Sequence, residues 1–92
     1  MAINLAEIVT ENKQKMVEKV QKYCEKYKYF YFQNGGKNYI LKPKNNKIMD
    51  LFRSTENTRT LEIYADFAEN NPENKQVEFV FCGDICELLE RI

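Results

Sequence analysis

Residues 27–42 read YKYFYFQNGGKNYILK, and the fold turns on how that stretch is taken. The consecutive aromatics Tyr29, Phe30, Tyr31 and Phe32 favour a strand, because flat rings pack well on a pleated surface. Asn34-Gly35 follows, a strong hairpin signal, since both central residues of a type I′ turn need positive φ. Tyr39 to Lys42 then form the returning strand, ended by Pro43. Alternation turns either Tyr29 and Tyr31 or Phe30 and Phe32 inward. The phenylalanines are the natural inward pair, which leaves the two tyrosines outward.

Upstream, Leu5, Val9, Met16, Val20, Tyr23 and Tyr27 recur at intervals of three, four or seven and predict an N-terminal helix. Asn4 and Glu7 resemble its capping box. Lys13 interrupts the apolar face, so residues 1–10 form either its first turns or a separate short arm, with Thr10 capping the main helix. Downstream, KPKNNK at residues 42–47 reads as loop, Ile48–Arg53 as a compact apolar strand, and STENT at 54–58 as a turn. Leu61, Ile63, Ala65 and Phe67 alternate with Glu62, Tyr64 and Asp66, the period of a half-buried strand. After the loop ENNPENK at 69–75, Val77, Phe79 and Phe81 alternate in the same way. Gly83-Asp84 breaks that strand. Asp84 with Glu87 opens a short C-terminal helix whose apolar face is Ile85, Leu88, Leu89 and Ile92.

The expected fold is α+β: an N-terminal helix, an antiparallel meander of about five strands, and a short C-terminal helix, with the helices on one face of the sheet. Ninety-two residues make a single compact domain over 1–92, whose small core and open sheet edge favour a homodimer or another partner. No apolar run approaches the ~20 residues of a membrane helix, and no secretory leader pattern is present. Three cysteines make no disulfide framework, so the expected setting is reducing and cytoplasmic. Abundant Lys, Asn, Glu and Ile with few Gly, Pro and Ala fit an AT-rich coding sequence, as in a low-GC bacterium or its phages.

The chain has no histidine, and with it go the usual general base near neutral pH and every imidazole triad. Gly35-Gly36 lies inside a hairpin and not between a strand and a helix, so it makes no phosphate loop. The expectation is a protein that binds and does not catalyse, with no cofactor and no metal. Cys82 and Cys86 stand four apart in CGDIC, and a redox pair needs two intervening residues where this motif has three. They read as two small buried thiols.

Two surfaces remain. Residues 12–47 hold ten lysines against Glu18 and Glu25, a net charge of +8, while residues 48–92 carry a net charge of −6. Such halves either offer separate binding surfaces or face each other in the fold. In the basic half, Lys22, Lys26, Lys28, Lys37, Lys42 and Lys44 are interleaved with Tyr29, Tyr31 and Tyr39, a composition suited to single-stranded nucleic acid. A nucleotide-binding sponge, stacking a base among tyrosines, is a further alternative. In the acidic half, Glu62, Asp66 and Glu78, with Tyr64 among them, fall on one pair of expected strands. Either an ordinary solvated face or a mimic that fills a cationic nucleic-acid channel explains them. Small phage proteins that inhibit bacterial immune nucleases, some anti-CRISPR proteins among them, often work by such occlusion. This chain is similar to them in size, composition and lack of a catalytic motif, though it shares no diagnostic motif with them. The resemblance implies a host protein or protein complex as partner, contacted through Tyr29, Tyr31, Tyr39, Tyr64 and nearby charges.

Overall fold

The computed structural model describes the backbone from Leu5 to Ile92 and the side chains from Lys13 onward. The capping box expected at Asn4 and Glu7 lies outside the described residues, and the arm weighed for residues 1–10 spans that stretch. Helix α1 runs Leu5–Tyr27. It buries Val20 and Cys24, four residues apart, and half-buries Tyr23 between them. The hairpin follows as β1, Phe30–Asn34, and β2, Lys37–Pro43. Its two-residue turn is Gly35-Gly36, with φ of 58° and 77°, one residue later than the expected Asn34-Gly35. Glycine at both positions removes the Cβ clash that positive φ brings.

Two of the expected strands are helices. Residues 48–53 lie in α2, Asn46–Ser54, and residues 61–67 in α3, Thr58–Asn70. Each begins on an asparagine whose side chain accepts from a first-turn amide: Asn45 from Ile48 and Asn57 from Arg59, both at 3.0 Å. The alternation of Leu61, Ile63, Ala65 and Phe67 is real but is not what the fold uses. Leu61, Ala65 and Ala68 are buried with Tyr64 packed beside them, the i, i+3, i+4, i+7 stripe of a helix, while Ile63 and Phe67 point outward. The strong helix formers Leu61, Glu62, Ala65, Ala68 and Glu69, behind the Asn57 cap, outweigh the period-two pattern in this stretch.

The sheet therefore has three strands, not about five, in the order β1-β2-β3, all antiparallel, with β3 at Val77–Gly83. Short α4, Ile85–Arg91, closes the chain; its N-cap Asp84 accepts from the Glu87 amide at 2.9 Å, as expected.

Nor do the helices share one face. Phe32, Tyr39, Leu41 and Val77 pack with Phe52 of α2 and with Leu61, Ala65 and Ala68 of α3. Ile40 and Phe81 turn the other way, onto Val20 and Cys24 of α1 and Leu88 of α4. A register shift between Ile40 and Leu41 permits this split: Ile40 pairs with Phe81 and Leu41 with Phe79, so Val80 is an extra residue on β3. Phe81, expected on the same face as Val77 and Phe79, is thereby sent to the opposite side.

The helical register of α3 has a direct test. Leu61→Ala should cost about 2–5 kcal/mol in urea unfolding, whereas Ile63→Ala should change stability by no more than about 0.5 kcal/mol. Equal losses at the two positions would restore the strand reading.

Candidate functional site

Helix α1 ends in a way that places side chains. The Tyr29 amide donates to the Cys24 carbonyl at 2.8 Å and the Lys28 amide to the Glu25 carbonyl at 3.3 Å, the paired bonds of a Schellman motif. The position between them is left-handed, and it is occupied by Lys28 at φ 59° where glycine is usual. Its apolar contact is made by Tyr29 folding back on Tyr23, ring centroids 6.0 Å apart. Tyr27 lies 4.8 Å from Tyr23 and 5.8 Å from Tyr29, nearly parallel to the latter. Three tyrosines thus form a shelf at the end of α1, with Tyr27 47% exposed and the Lys26 ammonium 5.6 Å from its ring centre.

Beside the shelf lies a groove of about 630 Å³ between the end of α1, the exit of β2 and α2. Tyr27, Lys28, Tyr29, Lys42, Lys44, Met49 and Arg53 line it, with Glu25 and Asp50 as its acidic members. Of the residues expected to bind, the fold brings together Lys28, Tyr29, Lys42 and Lys44. Lys26 sits on the neighbouring shelf, Lys22 is exposed farther back on α1, and Lys37 stands at the opposite end of β2, next to the hairpin turn. Tyr27 and Arg53 complete the groove; Arg53 was hidden from sequence reasoning because residues 48–53 read as a strand.

Three of the four tyrosines expected to bind are not free. Tyr39 is buried, 6% exposed, stacked on Phe32 at 4.7 Å. Burial, with Cys82 beside it, pushes its hydroxyl up to about 12. Tyr31 is half-buried in the cluster with α1 and α4, because that face of the sheet is covered. Its hydroxyl donates to Asn38 Oδ1, which also accepts from Gln33 Nε2 at 2.8 Å, and burial raises its pKa. Tyr64 is half-buried against Phe52 at 5.2 Å. Tyr29 is half-buried as well, with one side on the groove.

The acidic residues do not share a pair of strands. Glu62 and Asp66 are on α3, and Glu62 accepts from Asn34 Nδ2. Glu78 is on β3, directly across from Lys42 of β2. There the two charged halves of the chain meet, and Lys44 likewise reaches across to donate to the Asn74 carbonyl.

On the outer side of α3 a second surface stands free. Ile63 is 62% exposed and Phe67 41%, one turn apart, and with Thr60, Tyr64 and Gln76 they line a shallow apolar cleft. Asp66 and Glu69 stand exposed on the same helix.

The thiols are separate. Cys24 is buried, Cys82 half-buried and Cys86 exposed, so the reading of Cys82 and Cys86 as two buried thiols fails at Cys86, which lies on the outer side of the short surface helix α4, and is met only halfway at Cys82. The short apolar stripe of that helix runs through Ile85, Leu88 and Leu89. Burial pushes the Cys24 thiol up to about 11. Among the described residues no three His, Cys, Asp or Glu side chains gather as metal ligands, and no helix is long and apolar enough to cross a membrane. No protein-family model, curated protein or solved structure matches the chain.

Two predictions follow from these environments. Lys28→Gly should raise stability by about 0.5–1 kcal/mol in urea unfolding, because it relieves a left-handed lysine; a loss would mean that the side chain holds the fold. Cys24 and Tyr39 should also make the protein sensitive to alkali. Their ordinary values of 9.0 and 10.0 rise to about 11 and about 12 on folding, so the unfolded chain releases these protons first. The stability they hold is fully present below pH 9 and is lost as pH climbs toward 12. Tyr39→Phe should flatten the upper part of that loss in a series of urea titrations.

Proposed function

We propose that this chain is a small non-enzymatic binding protein that docks through the outer face of α3 onto a cationic, nucleic-acid-handling surface of a host protein. Some mobile-element inhibitors, certain anti-CRISPR proteins among them, act by occlusion of this kind. The observation that carries the reading is the exposure of Ile63 and Phe67 on a helix whose other stripe is already buried. A helix in a small protein needs one apolar stripe to hold it to the core, and a second stripe facing water is a hallmark of a surface that meets another molecule.

The border of that stripe indicates the partner. Asp66, three residues after Ile63, stands beside it, as does Arg59, four residues before; Glu62 turns toward Asn34 and Glu69 toward Pro72 and Phe79. An apolar centre with Asp66 at its edge fits an apolar patch next to a cation, and the net charge of −6 over residues 48–92 would steer the encounter with a basic channel. The chemistry absent from the sequence supports the same reading: without histidine or a phosphate loop, occlusion is a simpler means of inhibition than turnover. A reducing cytoplasm accords with Cys24, Cys82 and Cys86 all being free thiols.

The test compares wild type with Ile63→Asp and Phe67→Ser as baits in lysate of the bacterial host. Both variants should melt within a few degrees of wild type, because the replaced side chains are exposed. Wild type should retain a nucleic-acid-binding protein that added polynucleotide displaces, and the variants should retain at least tenfold less. Equal recovery by all three baits, or retention that polynucleotide does not affect, would contradict the proposal.

A further inference from the structure

The groove between α1, β2 and α2 has a chemistry that docking through α3 does not use. Its cations come from three separate elements: Lys28 from the end of α1, Lys42 and Lys44 from β2 and its exit, and Arg53 from α2. Against Glu25 and Asp50 the lining carries an excess of two positive charges around one concavity, with Glu78 of β3 across from Lys42. One wall is aromatic: Tyr27 and Tyr29 lie 5.8 Å apart and 24° from parallel, too close to admit a ring between them, so a flat ligand would lie on the exposed side of Tyr27. The α2 helix opens into the same groove at Asn45 and Asn46 with no acidic residue in its first turn, and Asp50, one turn on, is offset by Arg53 of the same helix. The volume of about 630 Å³ lies within the roughly 300–1,000 Å³ of small-ligand sites.

Lys28 sharpens the case. Its left-handed backbone is a position where glycine is less strained, and strain of this kind is concentrated at functional sites. The lysine there is exposed and lines the groove. Lysine in place of glycine at this position sets a charge next to the tyrosine shelf at the expense of stability.

We infer that this groove is a binding site for a nucleoside phosphate, its base stacked on Tyr27 and its phosphate held by Lys28, Lys42 and Arg53. A free nucleotide and one unit of a single-stranded nucleic acid present the same chemistry. Stacking on an aromatic ring beside lysines is tolerant of base identity, so sequence preference is weak. Lys44 serves as an outer charge, since its ammonium already donates to the Asn74 carbonyl.

The experiment follows fluorescence anisotropy of labelled oligothymidine and of a labelled adenosine nucleotide at low salt, with inorganic phosphate as competitor. Binding of the oligomer should weaken as salt rises, with a log–log slope of about −2, the value for roughly three phosphate contacts on a single strand. Lys28→Gly, which is expected to fold at least as well as wild type, should weaken binding about fivefold. Tyr27→Ala should weaken it about tenfold through lost stacking. Ile63→Asp should leave it unchanged, so the groove and the α3 face succeed or fail separately. Tighter binding of the oligomer than of the nucleotide would assign the site to a strand, and equal binding to a free nucleotide. Absence of binding to both ligands at low salt would overturn the inference. So would binding indifferent to Lys28→Gly and Tyr27→Ala, or displacement by inorganic phosphate at concentrations equal to those of the nucleotide.

Discussion

Everything in this fold is arranged around a central strand that is buried on both sides. Asn38, Tyr39, Ile40 and Leu41 follow one another along β2, and none is more than 6% exposed. Tyr39 and Leu41 face one layer and Ile40 the other, while β1 and β3 cover both edges. The polar member of the run, Asn38, is satisfied by Tyr31, Gln33 and the Gly83 carbonyl, so its burial leaves no bond unmade. A strand enclosed in this way needs helices above and below it. With only three strands available, the chain between β2 and β3 has to supply α2 and α3, and the two ends of the chain supply α1 and α4. The bulge at Val80 lets β3 serve both layers, with Phe79 on one and Phe81 on the other.

Much of this was legible in residues 27–42 and at the termini. The hairpin, the inward Phe30 and Phe32, the N-terminal helix and the capped C-terminal helix all follow from local rules that the tertiary structure leaves intact. The middle of the chain was misread for a physical reason. Leu61, Ile63, Ala65 and Phe67 alternate because α3 carries two apolar stripes, one for the core and one for its outer surface, and their superposition imitates a strand. Ile48–Arg53 is short and apolar enough to suit either state, and its cap, Asn45, sits in a stretch that reads equally well as loop. Once these segments became helices, the sheet lost two strands and gained a second covered face. Tyr31 and Tyr39 went inside as a result.

The charge division had two readings, and the fold draws on both. Lys42 stands opposite Glu78 and Lys44 reaches the Asn74 carbonyl, so part of the basic half is matched to the acidic half within the molecule. What stays outside is more selective: Lys28 and Arg53 at the tyrosine shelf, and Arg59 and Asp66 beside Ile63. Sequence order had separated Arg53 from the lysines and Ile63 from the surface, because each belongs to a segment read as a strand. Of the residues expected to bind, Lys28, Tyr29, Lys42 and Lys44 lie together because the end of α1 and the exit of β2 meet in space.

The central claim, that the outer face of α3 is the contact surface, is most directly tested with a photo-crosslinking amino acid placed singly at position 63, at position 67, and at the exposed Gln14 of α1 in host cells. The account predicts one adduct shared by positions 63 and 67, containing a nucleic-acid-binding protein, and none from position 14. Adducts of the same protein from all three positions, or none from the α3 positions, would contradict it.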